Sequence, residues 1–229
     1  MSVAVVIGAS GGIGAALEAA LVEEGVTVHG FARSRNGAQH IDLEDEPSIA
    51  AAATLVAMGP APDLVFVATG VLHEDERGPE KAIAQLDPAW LAKTFAVNAI
   101  GPAIIAKHFL PIMPKTGRSV FAVLSARVGS ISDNKLGGWY GYRASKAALN
   151  QLVRTLAIED KRRNDRGIVV ALHPGTVDTA LSRPFQGAVQ PGRLFDSERA
   201  ALQLLDVIEE LKAPDSGKLF DFEGIEVTP

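Results

Sequence analysis

The chain has 229 residues, no cysteine, 22 lysines and arginines against 27 aspartates and glutamates, a net charge of −5 and 47% apolar residues. The missing cysteines exclude a disulfide scaffold, a thiolate metal site and a cysteine nucleophile, and mild acidity without basic blocks argues against a nucleic-acid partner. No continuous apolar run reaches the roughly 18 residues of a membrane span; a chain this long buries about 70–75% of its extended surface without staples. Met1–Gly8 has no basic segment ahead of its apolar run, so a cytoplasmic protein without a signal peptide or membrane partner is expected.

Val3–Ile7 is a continuous apolar run ending at Gly8, which predicts a strand buried on both faces. Ile13–Glu24 carries Ile13, Leu17 and Leu21 at helical spacing and stops at Gly25. Val26–Ala32 reads as a strand. Glu46–Met58 reads as an alanine-rich helix with Pro47 in its first turn, and Asp63–Ala68 as a strand. Pro88–Met113 is a long helical stretch interrupted at Gly101-Pro102. Arg118–Ser125 (strand), Tyr140–Arg163 (amphipathic helix), Ile168–His173 (strand), Ser197–Lys212 (helix) and Leu219–Phe222 (strand) complete the chain. No repeat or linker divides it, so one domain over 1–229 is expected. Strands alternating with helices imply an α/β fold of Rossmann type, a doubly wound parallel sheet with helices on both faces. Such sheets bind ligands beyond the carboxyl ends of their strands.

The first such end reads Gly8-Ala9-Ser10-Gly11-Gly12-Ile13-Gly14. Gly8 permits a tight turn, Gly12 a close approach to a pyrophosphate, and Gly14 close helix–sheet packing; the helix N-terminus adds free N–H groups and a positive dipole end. The plain alternative is a turn without a ligand, but the string follows a strand and opens a helix, the context a dinucleotide site requires. At the end of the second strand, Arg33-Ser34-Arg35 stands where an NAD site places an acid for the ribose 2′-hydroxyl. No acid occurs at 30–36, and a guanidinium suits a 2′-phosphate. NADP(H) is expected in preference to NAD(H), with Arg33 the main contact and Ser34 or Arg35 assisting. Ile41-Asp42-Leu43 is expected to flank an adenine, with a cap in the helix region as the alternative for Asp42.

Tyr142 and Lys146 are four residues apart and share a helix face. A free phenol has a pKa near 10, which a nearby ammonium lowers. A phenol so poised passes a proton to or from an alcohol oxygen during hydride transfer. Alone, such a pair is commonly a surface contact; behind a dinucleotide loop it reads as an acid/base.

Joined in this order, Gly8–Gly14, Asn98 in Val97-Asn98-Ala99-Ile100-Gly101, Tyr142-Arg143-Ala144-Ser145-Lys146 and Pro174-Gly175-Thr176-Val177-Asp178-Thr179 resemble the short-chain dehydrogenase/reductase superfamily over nearly the whole chain. Ser125–Ser130 with Gly137–Tyr142 resemble its C-factor-like and sniffer-like carbonyl reductase branch. The resemblance implies an NADP(H)-dependent oxidoreductase acting on a small carbonyl or secondary alcohol. In it Tyr142 is the general acid/base, Lys146 lowers its pKa and holds the nicotinamide ribose, and Asn98 anchors a water of the proton relay. It also implies that Ala68 and Gly70 lie against the adenine ribose, that Pro174 and Gly175 turn under the nicotinamide, and that Val177 and Thr179 complete the coenzyme site. The Thr179 hydroxyl would hold the carboxamide and present the pro-S hydride. Segment 180–195 reads as a substrate lid, and the long helices imply a homodimer or homotetramer.

Two positions depart from the pattern. Counting back three from Gly129 meets Ala126 where relatives carry a catalytic serine. Ser125 is the favoured substitute, with Ser130, Ser132 or no hydroxyl as alternatives. Val67-Ala68-Thr69-Gly70 replaces the more usual Asn-Asn-Ala-Gly. A C-factor-type signalling protein with vestigial catalysis is therefore the competing expectation.

Overall fold

The computed structural model describes residues 1–75 and 77–229. Six parallel strands form the central sheet: β1 (Val3–Ile7), β2 (Thr27–Phe31), β3 (Leu64–Val67), β4 (Ser119–Leu124), β5 (Gly167–His173) and β8 (Leu219–Asp221), in the order β2-β1-β3-β4-β5-β8. The register places Val5 between His29 and Val65, and Phe121 between Val65 and Val169. Two short strands, β6 (Thr176–Val177) and β7 (Leu194–Phe195), pair separately and bracket the expected lid.

Alternation along the strands sorts the core into two layers. Val5, Ile7, Val65, Val67, Phe121, Val123 and Val169 face α2 (Glu46–Ala57), α4 (Gly101–Phe109) and α5 (Tyr140–Asp160). Ala4, Val6, Leu64, Phe66, Val120, Ala122 and Val170 face α1 (Gly12–Glu23) and α6 (Ser197–Glu210). Burial on both faces explains why the strands read as unbroken apolar runs. Burying side chains such as Ile7, Phe66 and Phe121 contributes about 1.5–3 kcal/mol each.

The chain leaves β1 for β2 on one side and returns to β3 on the other. The carboxyl ends of β1 and β3 are therefore the switch point, where this fold opens a crevice.

The stretch from Pro88 to Ile112 is not a single α-helix. It runs as α3 (Pro88–Phe95), a π turn (Ala96–Ile100), α4 and a 3-10 turn (Leu110–Ile112). The interruption expected at Gly101-Pro102 falls just before it, for a chemical reason: Pro102 has no N–H to give the Asn98 carbonyl four residues earlier, and its ring crowds that carbonyl. The π turn absorbs the misfit. By length and apolarity this stretch would cross a membrane, but here Trp90, Asn98, Ile105 and Phe109 are buried within the fold.

Candidate active site

At the switch point a cleft of about 530 Å³ opens beside the glycine turn. Gly8 has φ +91°, and a Cβ there would lie 2.8 Å from the Ala68 carbonyl oxygen. A Cβ on Gly14 would lie 2.2 Å from the Gly8 oxygen, so only glycine lets α1 start this close to the sheet. The N–H groups of Gly8 and Ala9 donate to the Phe31 carbonyl, and Ala68 N–H donates to Ile7 O at 2.7 Å. These main-chain bonds stitch the strand ends together without the asparagines missing at 67–68.

Of the residues expected to hold a dinucleotide, Gly8, Ser10, Gly11, Arg33, Ser34, Asp42, Leu43, Ala68 and Gly70 line the cleft. Ser34 Oγ donates to Ser10 Oγ at 2.8 Å, joining the β2 end to the glycine turn. Arg33 is exposed and forms no ion pair among the described residues. Arg35 takes no part: its guanidinium pairs with Glu18 and donates to the Gly30 carbonyl at 2.7 Å. Asp42 lines the cleft, but it does not cap α2: it accepts from Glu44 N–H at 3.0 Å in a local turn, and Asp45 stands at the start of the helix. Gly12, Ile13 and Gly14 form the first turn of α1 behind the cleft wall.

The segment after β5 returns to that turn. Thr179 Cγ2 stands 2.7 Å from the point a Cβ on Gly12 would occupy, and Ser197 Oγ 2.8 Å from it. Gly175, at φ +74°, turns the chain after Pro174 with Phe195 packed close against it. Val177 is buried in β6, and Ala180 and Leu181 reach the cleft. The sequence marks Ser197 only as the start of a helix; its place beside Gly12 gave no signal, because it lies far along the chain from any glycine motif.

Four of the expected residues converge on the end of β3. A Cβ on Gly70 would lie 3.5 Å from Asn98 Oδ1, 3.7 Å from Lys146 Nζ and 3.9 Å from Leu181 Cδ1. Asn98 is fully buried; its Oδ1 accepts from Val71 N–H and its Nδ2 donates to Val71 O, both at 2.8 Å, and to Ser145 Oγ at 3.1 Å. Ser145 Oγ in turn donates to the Tyr142 carbonyl at 2.9 Å. Lys146 Nζ donates to the Leu124 carbonyl at 2.8 Å and lies 5.8 Å from the Tyr142 ring centroid. Burial pushes the Tyr142 phenol up to about 12 and the Lys146 ammonium down to about 7. The ammonium is expected to lower the phenol; the net direction for Tyr142 is upward, because removal from water disfavours both charged forms.

Ser125, the hydroxyl expected at the reacting oxygen, instead donates to Asn150 Oδ1 at 2.7 Å. Its N–H still continues the β4–β5 pairing to Leu172 O. Ser130 Oγ donates to Thr228 O at 2.5 Å and Ser132 Oγ to Pro229 O at 2.7 Å, so both alternatives anchor the chain end. Ala126 is extended, with φ −152° and ψ 146°. A wall of edge-to-face rings runs from His73 through Phe185 and Trp139 to Tyr142, with centroid spacings of 5.8, 5.3 and 6.2 Å. His73, whose ring nitrogen lies 3.1 Å from Ala180 O, belongs to this wall and ties the lid to the end of β3.

The short chain dehydrogenase family matches residues 2–189. The chain belongs to the short-chain dehydrogenase family. It is an oxidoreductase of the family's class, acting on the CH–OH/C=O couple with NAD(P). C-signal of Myxococcus xanthus is 36% identical over 175 residues, covering 76% of this chain and 96% of that protein, which places the chain in the C-factor-like branch. The NADPH-bound carbonyl reductase from chicken fatty liver superposes with a TM-score of 0.82 at 22% identity, over 100% of this chain and 94% of that one. Carbonyl reductase Sniffer of D. melanogaster superposes at 0.81 and 23%, over 100% and 99%. At these identities the two reductases share the fold.

Proposed function

We propose that this short-chain dehydrogenase is an NADP(H)-dependent reductase of carbonyls, equally a dehydrogenase of secondary alcohols, with Tyr142 as the proton donor and acceptor. The observation that carries the reading is the meeting of Gly70, Asn98 and Lys146 at the end of the cleft, with Tyr142 beside Lys146. The residues fit a dinucleotide: glycine alone tolerates the contacts at Gly8 and Gly14, and the cleft they open is lined by both Arg33 and Leu181. When bound, the nicotinamide supplies or accepts the hydride. Arg33 and Ser34 would hold the 2′-phosphate, since position 30–36 offers no carboxylate to repel it, which makes NADP(H) the preferred coenzyme.

The chain's own groups handle the proton. A Tyr142 hydroxyl pushed up to about 12 stays protonated at neutral pH and donates to the carbonyl oxygen as negative charge develops there. Lys146, held near 7, titrates close to working pH, the range in which proton transfer is most effective. It stabilises the phenolate and returns the proton. Asn98, whose main-chain carbonyl gets no N–H from Pro102, would anchor a water of the proton relay. Trp139, Phe185 and His73 form an apolar wall against the substrate. The outward-facing Ile100, in the π turn ahead of α4, and Ile158 of α5, 53% and 51% exposed, support assembly into a homodimer or homotetramer; sedimentation checks this.

The test is NADPH oxidation with a panel of small ketones and dicarbonyls. Tyr142→Phe is expected to lower kcat by about 10²–10⁴-fold with NADPH affinity intact. The likeness to C-signal, together with Ala126 at the serine position, favours one other reading, a coenzyme-binding signalling protein. Tight NADPH binding with no turnover on any carbonyl would decide for it.

A further inference from the structure

Glu80 lies outside every motif of the site and is 3% exposed. It follows Gly78-Pro79 in the loop between β3 and α3, and it reaches the first turn of α5 twice. Its backbone carbonyl accepts from Trp139 N–H at 2.5 Å, and its Oε2 accepts from Gly141 N–H at 3.1 Å. Its Oε1 has no hydrogen-bond partner among the described residues. A carboxylate is rarely buried without a purpose that compensates its dehydration. Here the purpose is local. The first N–H groups of a helix lack intrahelical acceptors, and the positive end of a 21-residue helix stabilises an anion.

The turn it grips is strained. Trp139 has φ +51° and ψ 45°, a left-handed conformation that a bulky side chain avoids, following Gly137 and Gly138, both at φ +65°. Such a residue persists only when its surroundings fix it. A Cβ on Gly141 would lie 3.0 Å from Glu80 Oε1 and 3.2 Å from Leu91 Cδ2, so the carboxylate is seated against backbone that only glycine leaves open. Tyr142 is the next residue, and the Trp139 ring stands between it and Phe185 of the lid.

We propose that Glu80 is a positioning residue for the reaction: its two bonds to Trp139 and Gly141 fix the start of α5, and thereby the direction of the Tyr142 phenol and the Trp139 wall. This rests on Tyr142 being the acid/base, as argued above. Glu80→Gln keeps an oxygen for Gly141 N–H, whereas Glu80→Ala does not. A misplacement on the order of 1 Å costs an enzyme about 100-fold, so Glu80→Ala should lower kcat by about 10- to 100-fold. Its NADPH dissociation constant should stay at the wild-type value, and Glu80→Gln should restore most of the turnover.

Wild-type kcat in Glu80→Ala, a loss confined to NADPH affinity, or a Gln variant as impaired as the Ala variant would each overturn the proposal. Should Glu80→Ala not fold, Gly141→Ala displaces the same carboxylate and is expected to show the same loss of kcat; wild-type turnover there overturns it as well. Hydrogen exchange of the Gly141 amide separates this proposal from the assigned chemistry. Exchange should be slow in the wild type, fast in Glu80→Ala and slow again in Glu80→Gln, whether or not any carbonyl is reduced. Unchanged exchange in Glu80→Ala would sink the clamp, while a wild type that reduces no carbonyl would sink only the acid/base assignment.

Discussion

At the ends of β1 and β3 the chain offers main-chain groups: the Gly8 turn, the N-terminus of α1 and the Ala68–Ile7 bond. At the end of β4 and the start of α5 it offers side chains: Tyr142, Lys146 and the ring of Trp139. The first wall is fixed by which residues lack a Cβ. The second is fixed by where each side chain points, and that depends on partners distant in sequence. A backbone site tolerates almost any exposed neighbour but no added methyl; a side-chain site tolerates backbone drift only as far as its clamps allow.

The contrast breaks first at Gly14. Placing a methyl 2.2 Å from the Gly8 oxygen should cost Gly14→Ala about 3 kcal/mol of stability. NADPH binding should vanish with it, as read by urea titration and coenzyme fluorescence; a stable, binding variant would refute the backbone account. Arg33→Ala is gentler and selective. It should weaken NADPH by about 1–3 kcal/mol and leave NADH nearly untouched, because only one coenzyme carries the 2′-phosphate. Equal weakening of both would remove Arg33 from that role.

The buried lysine makes its own prediction. Between about 7 and 10.5 the unfolded chain holds a proton on Lys146 that the folded chain has released. Stability then rises with pH across that window, by up to about 1.4 kcal/mol per unit from this group. Tyr142 acts oppositely from 10.0 to about 12, where the folded phenol keeps a proton the unfolded one has lost. Urea midpoints at rising alkaline pH should therefore show the wild type gaining on Lys146→Met; parallel curves would contradict it. The smallest effect tests the serine. With its hydroxyl bound to Asn150, Ser125→Ala should change kcat by less than about threefold while destabilising by about 1 kcal/mol. Ala126→Ser, on the opposite side of the extended chain, should raise kcat instead. A collapse of kcat in Ser125→Ala would return the hydroxyl to the site.

Much of this was legible beforehand. Val3–Ile7 and Asp63–Ala68 announced buried strands because both faces are covered, and Gly101-Pro102 announced the break in the long helix. The glycine turn was readable because glycine's role needs no partner. The bond that holds Ser125 gave no signal, because its acceptor, Asn150, sits one turn beyond Lys146 along α5, outside the motif. The net rise of the Tyr142 pKa gave no signal, because spacing reports proximity but not dehydration. Arg35 looked like Arg33 until Glu18 claimed it. Glu80 gave no signal at all: nothing in Gly-Pro-Glu says that this loop folds back onto the first turn of α5.

The π turn ahead of Pro102 also sets a phase. An α-helix rotates about 100° per residue, so the wider turn lets α3 aim Trp90 and Thr94 inward while α4 independently aims Ile105 and Phe109 at the sheet. Deleting one residue there to straighten the rod would swing the downstream half off the core. The irregular turn is thus the gearing between two packed surfaces, and evolution cannot straighten it without disengaging one of them.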